Sequence, residues 1–262
     1  MDSCLHRNDT KIRMKISIIT ASFNSEKTIK DTIESILNQS YKDVEYIVID
    51  GNSSDNTLDT INGYSDKIDI KVISEPDKGL YDAMNKGIKI ATGEVIGILN
   101  SDDFYKNNTV LEKIASCFEK NPQIDACYAD LEFVDSIETS KVVRVWKAGN
   151  FEEKKLNNGW IIPHPTFFVK KSIYEKYGVF NTSFKIAADY ELLLRLLKLH
   201  KINLFYLPEI IISMRIGGVS GRNLKQRRKG WRELKKSWEI NNLKLPKFFI
   251  LRRILFKIGQ YL

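Results

Sequence analysis

The chain is short of cysteine and of long apolar runs, and each shortage excludes something. Its three cysteines, Cys4, Cys117 and Cys127, are scattered. They give neither a disulfide framework nor metal-site spacing, and point to a reducing, cytosolic setting. No apolar stretch approaches the ~20 residues of a membrane-spanning helix. Residues 1–13 are polar and lack the apolar core of a signal peptide, so a disordered extension is expected there, with Met14 as an alternative start. Internal repeats and low-complexity linkers are also missing. No G-x-G-x-x-G follows the first apolar run, where Ala21-Ser22-Phe23-Asn24-Ser25 stands instead, and this argues against a dinucleotide-binding oxidoreductase.

What is present suits one large domain, or a domain with a tail: 262 residues, 43% hydrophobic and 28% charged. The net charge of +8 is uneven. Residues 222–257 hold thirteen Lys/Arg against two acids, so this segment carries +11 and the rest of the chain −3. Nucleic acid, anionic lipid or a phosphate-rich substrate are the partners such a segment fits.

Apolar runs at 15–21, 44–49, 70–73, 95–99 and 125–131 read as strands. Helical periodicity fills 28–39, 81–91 and 110–119, with a further helix start at Ser54-Asp55. Strands spaced by helices predict βαβ units and a largely parallel, Rossmann-like sheet flanked by helices, an α/β fold. Ligands of such sheets sit at the carboxyl ends of the strands. Three polar clusters fall there: Ser22/Asn24, Asp50, and Asn100/Asp102/Asp103. The second half reads as strands with turns over 132–147, a strand at 166–169, helices at 171–177 and 189–199, and short strands at 204–207 and 210–214. A carboxylate pair at a strand end is a place for a divalent cation held by one or two carboxylates plus phosphates. Its plainer reading is a cap on the next helix.

Four stretches together resemble the inverting, nucleotide-sugar-dependent glycosyltransferases of family 2, with the GT-A fold, over residues 14–220. They are Ile19-Thr20-Ala21-Ser22-Phe23-Asn24, Asp50-Gly51-Asn52-Ser53-Ser54-Asp55-Asn56-Thr57, Glu75-Pro76-Asp77-Lys78-Gly79-Leu80-Tyr81-Asp82-Ala83-Met84-Asn85-Lys86-Gly87, and Leu99-Asn100-Ser101-Asp102-Asp103. The resemblance implies a nucleotide-sugar-binding half at 14–131 and an acceptor-binding half at 132–220. The donor, UDP-linked by this reading, would meet Ala21, Ser22, Asn24, Asp50, Lys78, Gly79, Asn100, Ser101 and Arg215, with Asp50 accepting the uracil imide. Asp102, helped by Asp103, would hold Mg²⁺ or Mn²⁺. Asn100 departs from the family's usual Asp and lowers the expected metal affinity. Asp189, in Ala188-Asp189-Tyr190-Glu191, matches the family's general base, while Ala188 replaces its usual Glu. His164 would face the acceptor. Each residue also has a plain reading: Asp50 as a turn Asp, Lys78 as a solvated lysine, Asp189 as a helix cap, His164 as a structural histidine.

The expected activity is metal-dependent hexosyl or N-acetylhexosaminyl transfer to a saccharide, lipid-linked acceptor in surface polysaccharide biosynthesis. Residues 221–262 are expected to form a basic amphipathic helical tail. In its last helix Phe248, Ile250, Leu251, Ile254, Leu255, Ile258 and Leu262 share one face, opposite Arg252, Arg253 and Lys257, with Phe249 and Phe256 intruding on the cationic side. That pattern predicts peripheral binding to an anionic, cytoplasmic membrane face and no nucleic-acid partner. A helix packed on the catalytic domain is the plainer alternative. The rival for the whole chain is a membrane- or nucleic-acid-binding protein with a degenerate sugar-nucleotide domain.

Overall fold

The computed structural model describes residues 14–217 and 224–258. The expected N-terminal extension, and most of the Gly-rich loop expected after Arg215, lie outside them. The first half alternates strands β1 (Ile16–Ser22), β2 (Val44–Asp50), β3 (Ile70–Ser74) and β4 (Val95–Ile98) with helices α1 (Ile29–Leu37), α2 (Thr57–Asn62) and α3 (Leu80–Ile90). Then follow β5 (Phe104–Tyr105), α4 (Val110–Lys120), β6 (Ala126–Val134), β7 (Val142–Trp146) and α5 (Glu153–Leu156). A 3₁₀ turn, His164–Thr166, precedes β8 (Phe168–Lys170), α6 (Lys171–Tyr177) and α7 (Ala188–Leu194). Last come β9 (Leu204–Arg215), α8 (Leu224–Ile240) and α9 (Phe249–Ile258).

Among the described residues nine strands join into one sheet, ordered β3-β2-β1-β4-β8-β6-β9-β5, with β7 pairing on β6. Its first four strands are parallel, as expected. Beyond β4 the sheet turns mixed: β8 runs antiparallel to both β4 and β6, while β9 is parallel to β6. The apolar runs of β1 and β2 are continuous because both of their faces are covered. Ile16 and Ile18 join Tyr46 and Val48 in one core, under α1 and α4. Ile19 and Ala21 join Ile47 and Ile49 in the other, under α3 and α7. At Gly87 of α3 a Cβ would lie 2.4 Å from Ile19 Cγ2, so only glycine lets this helix sit so close to β1.

Two stretches differ from expectation. The short strands at 204–207 and 210–214 are one strand, β9. Its register against β6 jumps from Ala129↔Leu207 to Asp130↔Ile210. Pro208 and Glu209 bulge out there, which is how a proline is tolerated inside a strand. The basic segment begins not as a tail but as part of the core. Glu233, Leu234, Ser237, Trp238 and Asn241 are buried at helical spacing along one side of α8 and just beyond its end. Trp238 Nε1 donates to Tyr190 Oη (3.0 Å), and Asn241 Nδ2 to Glu191 Oε1 (3.0 Å). The cations made this segment look solvated, while its inner stripe binds α7.

Candidate active site

The carboxyl ends of β1 to β4 are laced together by short polar links. Asn24, at φ 49°, donates its backbone N–H to Ser53 Oγ (2.8 Å) and accepts from Ser54 N–H at Oδ1 (2.9 Å). Asp50 is fully buried and accepts from Ser53 N–H (2.9 Å), Ser53 Oγ and Ser74 Oγ (2.7 Å). Its carboxylate organises its own turn. Ala21 is buried in the core and presents backbone only. Ser22 Oγ is buried without a partner. Ser101 Oγ meets Ser25 Oγ at 2.8 Å and so ties the β4 loop to the β1 loop.

Lys78 and Gly79 lead into α3. Lys78 N–H donates to Asp82 Oδ2 (2.9 Å) and Gly79 N–H to Asp77 Oδ1 (2.7 Å). Gly79 has φ 119°, a conformation that favours glycine, and a Cβ there would meet nothing within 4 Å. The Lys78 side chain is exposed. Bare backbone and an exposed cation thus border open space.

The Asn100–Asp103 turn sits between β4 and β5, and α4 starts only at Val110. The two aspartates therefore do not cap that helix. Asp103 N–H closes the turn on Asn100 O (3.1 Å). Asp103 is fully buried, taking Asn100 Nδ2 on Oδ2 (2.9 Å) and Arg215 N–H on Oδ1 (3.3 Å). Burial, and then the neighbouring Asp102 charge, push its carboxyl well above the usual range. Asp103 braces the loop from inside, which replaces its expected role as a metal helper. Arg215 is likewise turned inward: Nη1 donates to Asp102 O (2.5 Å), Nη2 pairs with Asp31, and the guanidinium lies 5.1 Å from the Phe104 ring centroid. It clamps this turn, in place of the expected donor contact.

Asp102 is raised by burial, with the Arg215 charge opposing. Asn100 Oδ1 is buried and has no hydrogen-bond partner. One carboxylate and one orphaned amide oxygen on the same turn fit a hard cation that takes its other ligands from phosphate and water. Among the described residues no three His, Cys, Asp or Glu side chains cluster as an all-protein metal site.

Asp189 lies in the first turn of α7. Glu233 of α8 accepts the N–H groups of Lys185 (3.1 Å), Ile186 (2.8 Å) and Ala187 (2.9 Å). Glu233 thus holds the chain's approach to α7, and Asp189 serves the first turn itself. Its Oδ1 accepts from Tyr190 N–H (2.8 Å) and faces Tyr81 Oη (3.3 Å). Burial and the Asp189 charge both hold the Tyr81 hydroxyl protonated. Tyr81 stands two residues past Gly79, and Lys185 Nζ donates to Lys78 O (3.1 Å), so α7 is tethered to the Lys78–Gly79 turn. Asn85 exchanges two hydrogen bonds with the Phe180 backbone (2.8 and 3.0 Å) and fixes the same junction. The His164 ring packs edge-on to Phe180, centroids 5.4 Å apart. Burial lowers its pKa, and the Asp189 charge partly restores it. His164, Asp189 and Tyr81 thus gather beside Lys78–Gly79.

The sequence reading missed Tyr81, Glu233 and Phe23. Tyr81 belongs to a quoted motif and could have been picked out. Phe23 is exposed at the end of β1, where a Cβ on Gly51 would lie 3.3 Å from its ring. Glu233 left no local signal, because its partners lie 46 to 48 residues away.

The Glycosyl transferase family 2 pattern matches residues 17–178, and the chain belongs to that family. A PGL/p-HBAD biosynthesis glycosyltransferase of Mycobacterium bovis is 29% identical over 208 residues, 78% of each chain. An uncharacterized glycosyltransferase of Mycobacterium tuberculosis is 32% identical over 183 residues, 69% of this chain and 68% of the relative. Among solved structures, S. aureus TarS 1-349 in complex with UDP-GlcNAc superposes with TM-score 0.69 at 19% identity, covering 93% of this chain and 73% of that one. Against the longer TarS structure the chain spans 43% of the neighbour's length. The mannosyltransferase PcManGT from Pyrobaculum calidifontis, with GDP-Man and Mn²⁺, gives TM-score 0.65 at 17% identity over 90% of this chain and 67% of that one. The fold is GT-A.

Proposed function

We propose that this family 2 glycosyltransferase moves a hexosyl or N-acetylhexosaminyl group from a UDP-linked donor to a saccharide acceptor, with inversion at the anomeric carbon. The observation that carries the reading is Asp189. A carboxylate in the first turn of α7 is set against Tyr81, on a chain that Glu233 holds just ahead of the helix and Lys185 ties to the Lys78–Gly79 turn. The acceptor hydroxyl attacks the anomeric carbon, Asp189 takes its proton, and the carbon–oxygen bond to the diphosphate breaks with the electron pair leaving on the nucleoside diphosphate. Lys78 offers a charge to that leaving group, and the bare backbone of Gly79 allows close approach. Phe23, exposed at the end of β1, offers an aromatic face for the nucleobase. The choice of UDP rests on the UDP-GlcNAc complex of TarS.

Asp102 and Asn100 Oδ1 are the groups that would hold Mg²⁺ or Mn²⁺, which when bound neutralises charge on the departing diphosphate. His164 is the acceptor-side contact in this reading. The acceptor, by this reading, is lipid-linked and met at an anionic membrane surface, in surface polysaccharide assembly. No helix among the described residues is long and apolar enough to cross a membrane, and the reading calls only for peripheral contact. NMR of the product made from a UDP-sugar tests the mechanism. Inverted configuration with release of UDP is expected, and a retained configuration overturns it.

A further inference from the structure

Helix α9 docks through the side that the sequence marks as cationic. Phe249, an intruder on the cationic side, is the anchor: it is buried against Trp238 (centroids 5.5 Å) and Tyr190 (6.2 Å). Arg253 packs beside it, donating to Gly159 O and lying 5.3 Å from the Tyr190 ring centroid. Ile250 is half-buried. What remains outside is apolar. Phe248 is 74% exposed, Leu255 59% and Leu251 55%, and Leu245 and Ile254 are also exposed. Phe248 holds φ 56°, a conformation costly for a bulky side chain, and its ring points to solvent.

Beside this stripe opens a cavity of about 470 Å³, lined by Lys198, Lys244, Leu245, Pro246, Lys247 and Arg252. Lys198 pairs with Glu153 at 3.0 Å. Lys244, Lys247 and Arg252 carry no ion pair among the described residues. Four cations around one hollow, three of them without a carboxylate, favour a compact anion. The adjoining exposed Leu and Phe side chains favour hydrocarbon. None of the residues assigned above to donor, metal or base lines this cavity.

We propose that the cavity at the α8–α9 connection is a docking site for the phosphate headgroup of an anionic lipid, with Phe248, Leu251 and Leu255 entering the bilayer beside it. Phosphate suits a cluster of ammonium and guanidinium groups. A helix with one face held by protein and the other apolar and rimmed by cations suits the interface plane. The site rests on the membrane reading above and adds to it a defined place of contact. Through Arg253 and Phe249 the buried side of the same helix touches Tyr190, the residue after Asp189.

Flotation of the full chain with phosphatidylcholine vesicles, with and without phosphatidylglycerol, tests the site, using variants whose fold is checked by circular dichroism. The wild type is expected to float with the anionic vesicles only. Lys244→Gln with Lys247→Gln should weaken that binding about 30-fold, from roughly 1 kcal/mol per basic residue at the surface. Leu251→Ser with Leu255→Ser should weaken it about tenfold or more. The matched pair Arg228→Gln with Lys229→Gln removes the same charge from α8 and should cost only a few-fold. Equal losses from the two charge pairs would mean diffuse attraction: the site falls and the membrane reading stands. Failure of the wild type to float removes both. Titration with inorganic phosphate is the soluble arm. Phosphate binding that depends on Lys244 and Lys247 without any flotation would overturn the lipid site in favour of a free anion.

Discussion

The two sides of the candidate site are built in different ways. On the donor side, each loop at a strand end is held by its neighbours in the sheet: Asp50 by Ser53 and Ser74, Asn24 by Ser53 and Ser54, Ser101 by Ser25. On the acceptor side, the residue that matters is held from far away. Asp189 keeps its place because Glu233, from a helix beyond the whole catalytic sheet, takes three backbone N–H groups ahead of α7. Strand-end loops thus organise themselves once the parallel sheet forms. Helix α7 depends on α8 for its approach.

The largest expected effect probes the acceptor side alone. Asp189→Asn keeps the side-chain shape and removes the proton acceptor. Turnover should fall roughly 10²–10⁴-fold, while UDP affinity, measured by calorimetry, stays at the wild-type value. A loss of UDP binding with turnover preserved would assign Asp189 to the donor side and erase the contrast. Next in size is the matching change on the donor side. Asp102→Asn should lower turnover by about 10²–10³-fold, the usual cost of losing a group that stabilises transition-state charge. It should also abolish any gain in UDP affinity on adding Mn²⁺. Unchanged turnover in the presence of a chelator would break the metal reading while leaving Asp189 untouched.

The same contrast explains what the sequence revealed. The four parallel strands and their helices were readable because the apolar runs and the helical spacing are local signals. The clusters at 22–24, 50 and 100–103 were readable because parallel sheets put ligands at their carboxyl ends. The roles within those clusters were harder. Asp50, Asp103 and Arg215 carry the charges expected of ligand-binding groups, yet each is taken up by the loops it supports. Local sequence does not tell a carboxylate that faces a ligand from one that accepts its own turn's N–H groups. The C-terminal segment misled for a further reason. Its composition is dominated by Lys and Arg, whereas its packing is set by a few residues at helical spacing, Trp238 foremost. In α9 a single Phe249, apparently on the wrong face, decides the orientation.

Glu233→Gln tests the long-range hold directly. A carboxylate accepting several N–H groups is replaced by an amide with a single acceptor oxygen. The fold should lose about 1.5–3 kcal/mol, the range for hydrogen bonds to charged groups, read from urea unfolding. Turnover should fall as α7 loosens, and UDP affinity should hold. If UDP affinity dropped in step with turnover, the two sides would not be independently supported.

The smallest effect concerns His164, which stands where the two sides meet. Burial holds its pKa below the ordinary value, with the Asp189 charge partly opposing. The folded state therefore binds fewer protons than the unfolded chain as pH falls through the ordinary histidine range. Its contribution to stability is present at neutral pH and is lost as pH drops below about 6.5 towards the lowered folded value. His164→Gln cannot titrate, so the stability gap between wild type and variant should narrow from pH 7.5 to pH 5.5 in urea unfolding. His200, whose pKa is also lowered by burial, titrates alike in both proteins and cancels from the difference. A gap that stays constant with pH would mean that the ring is open to water.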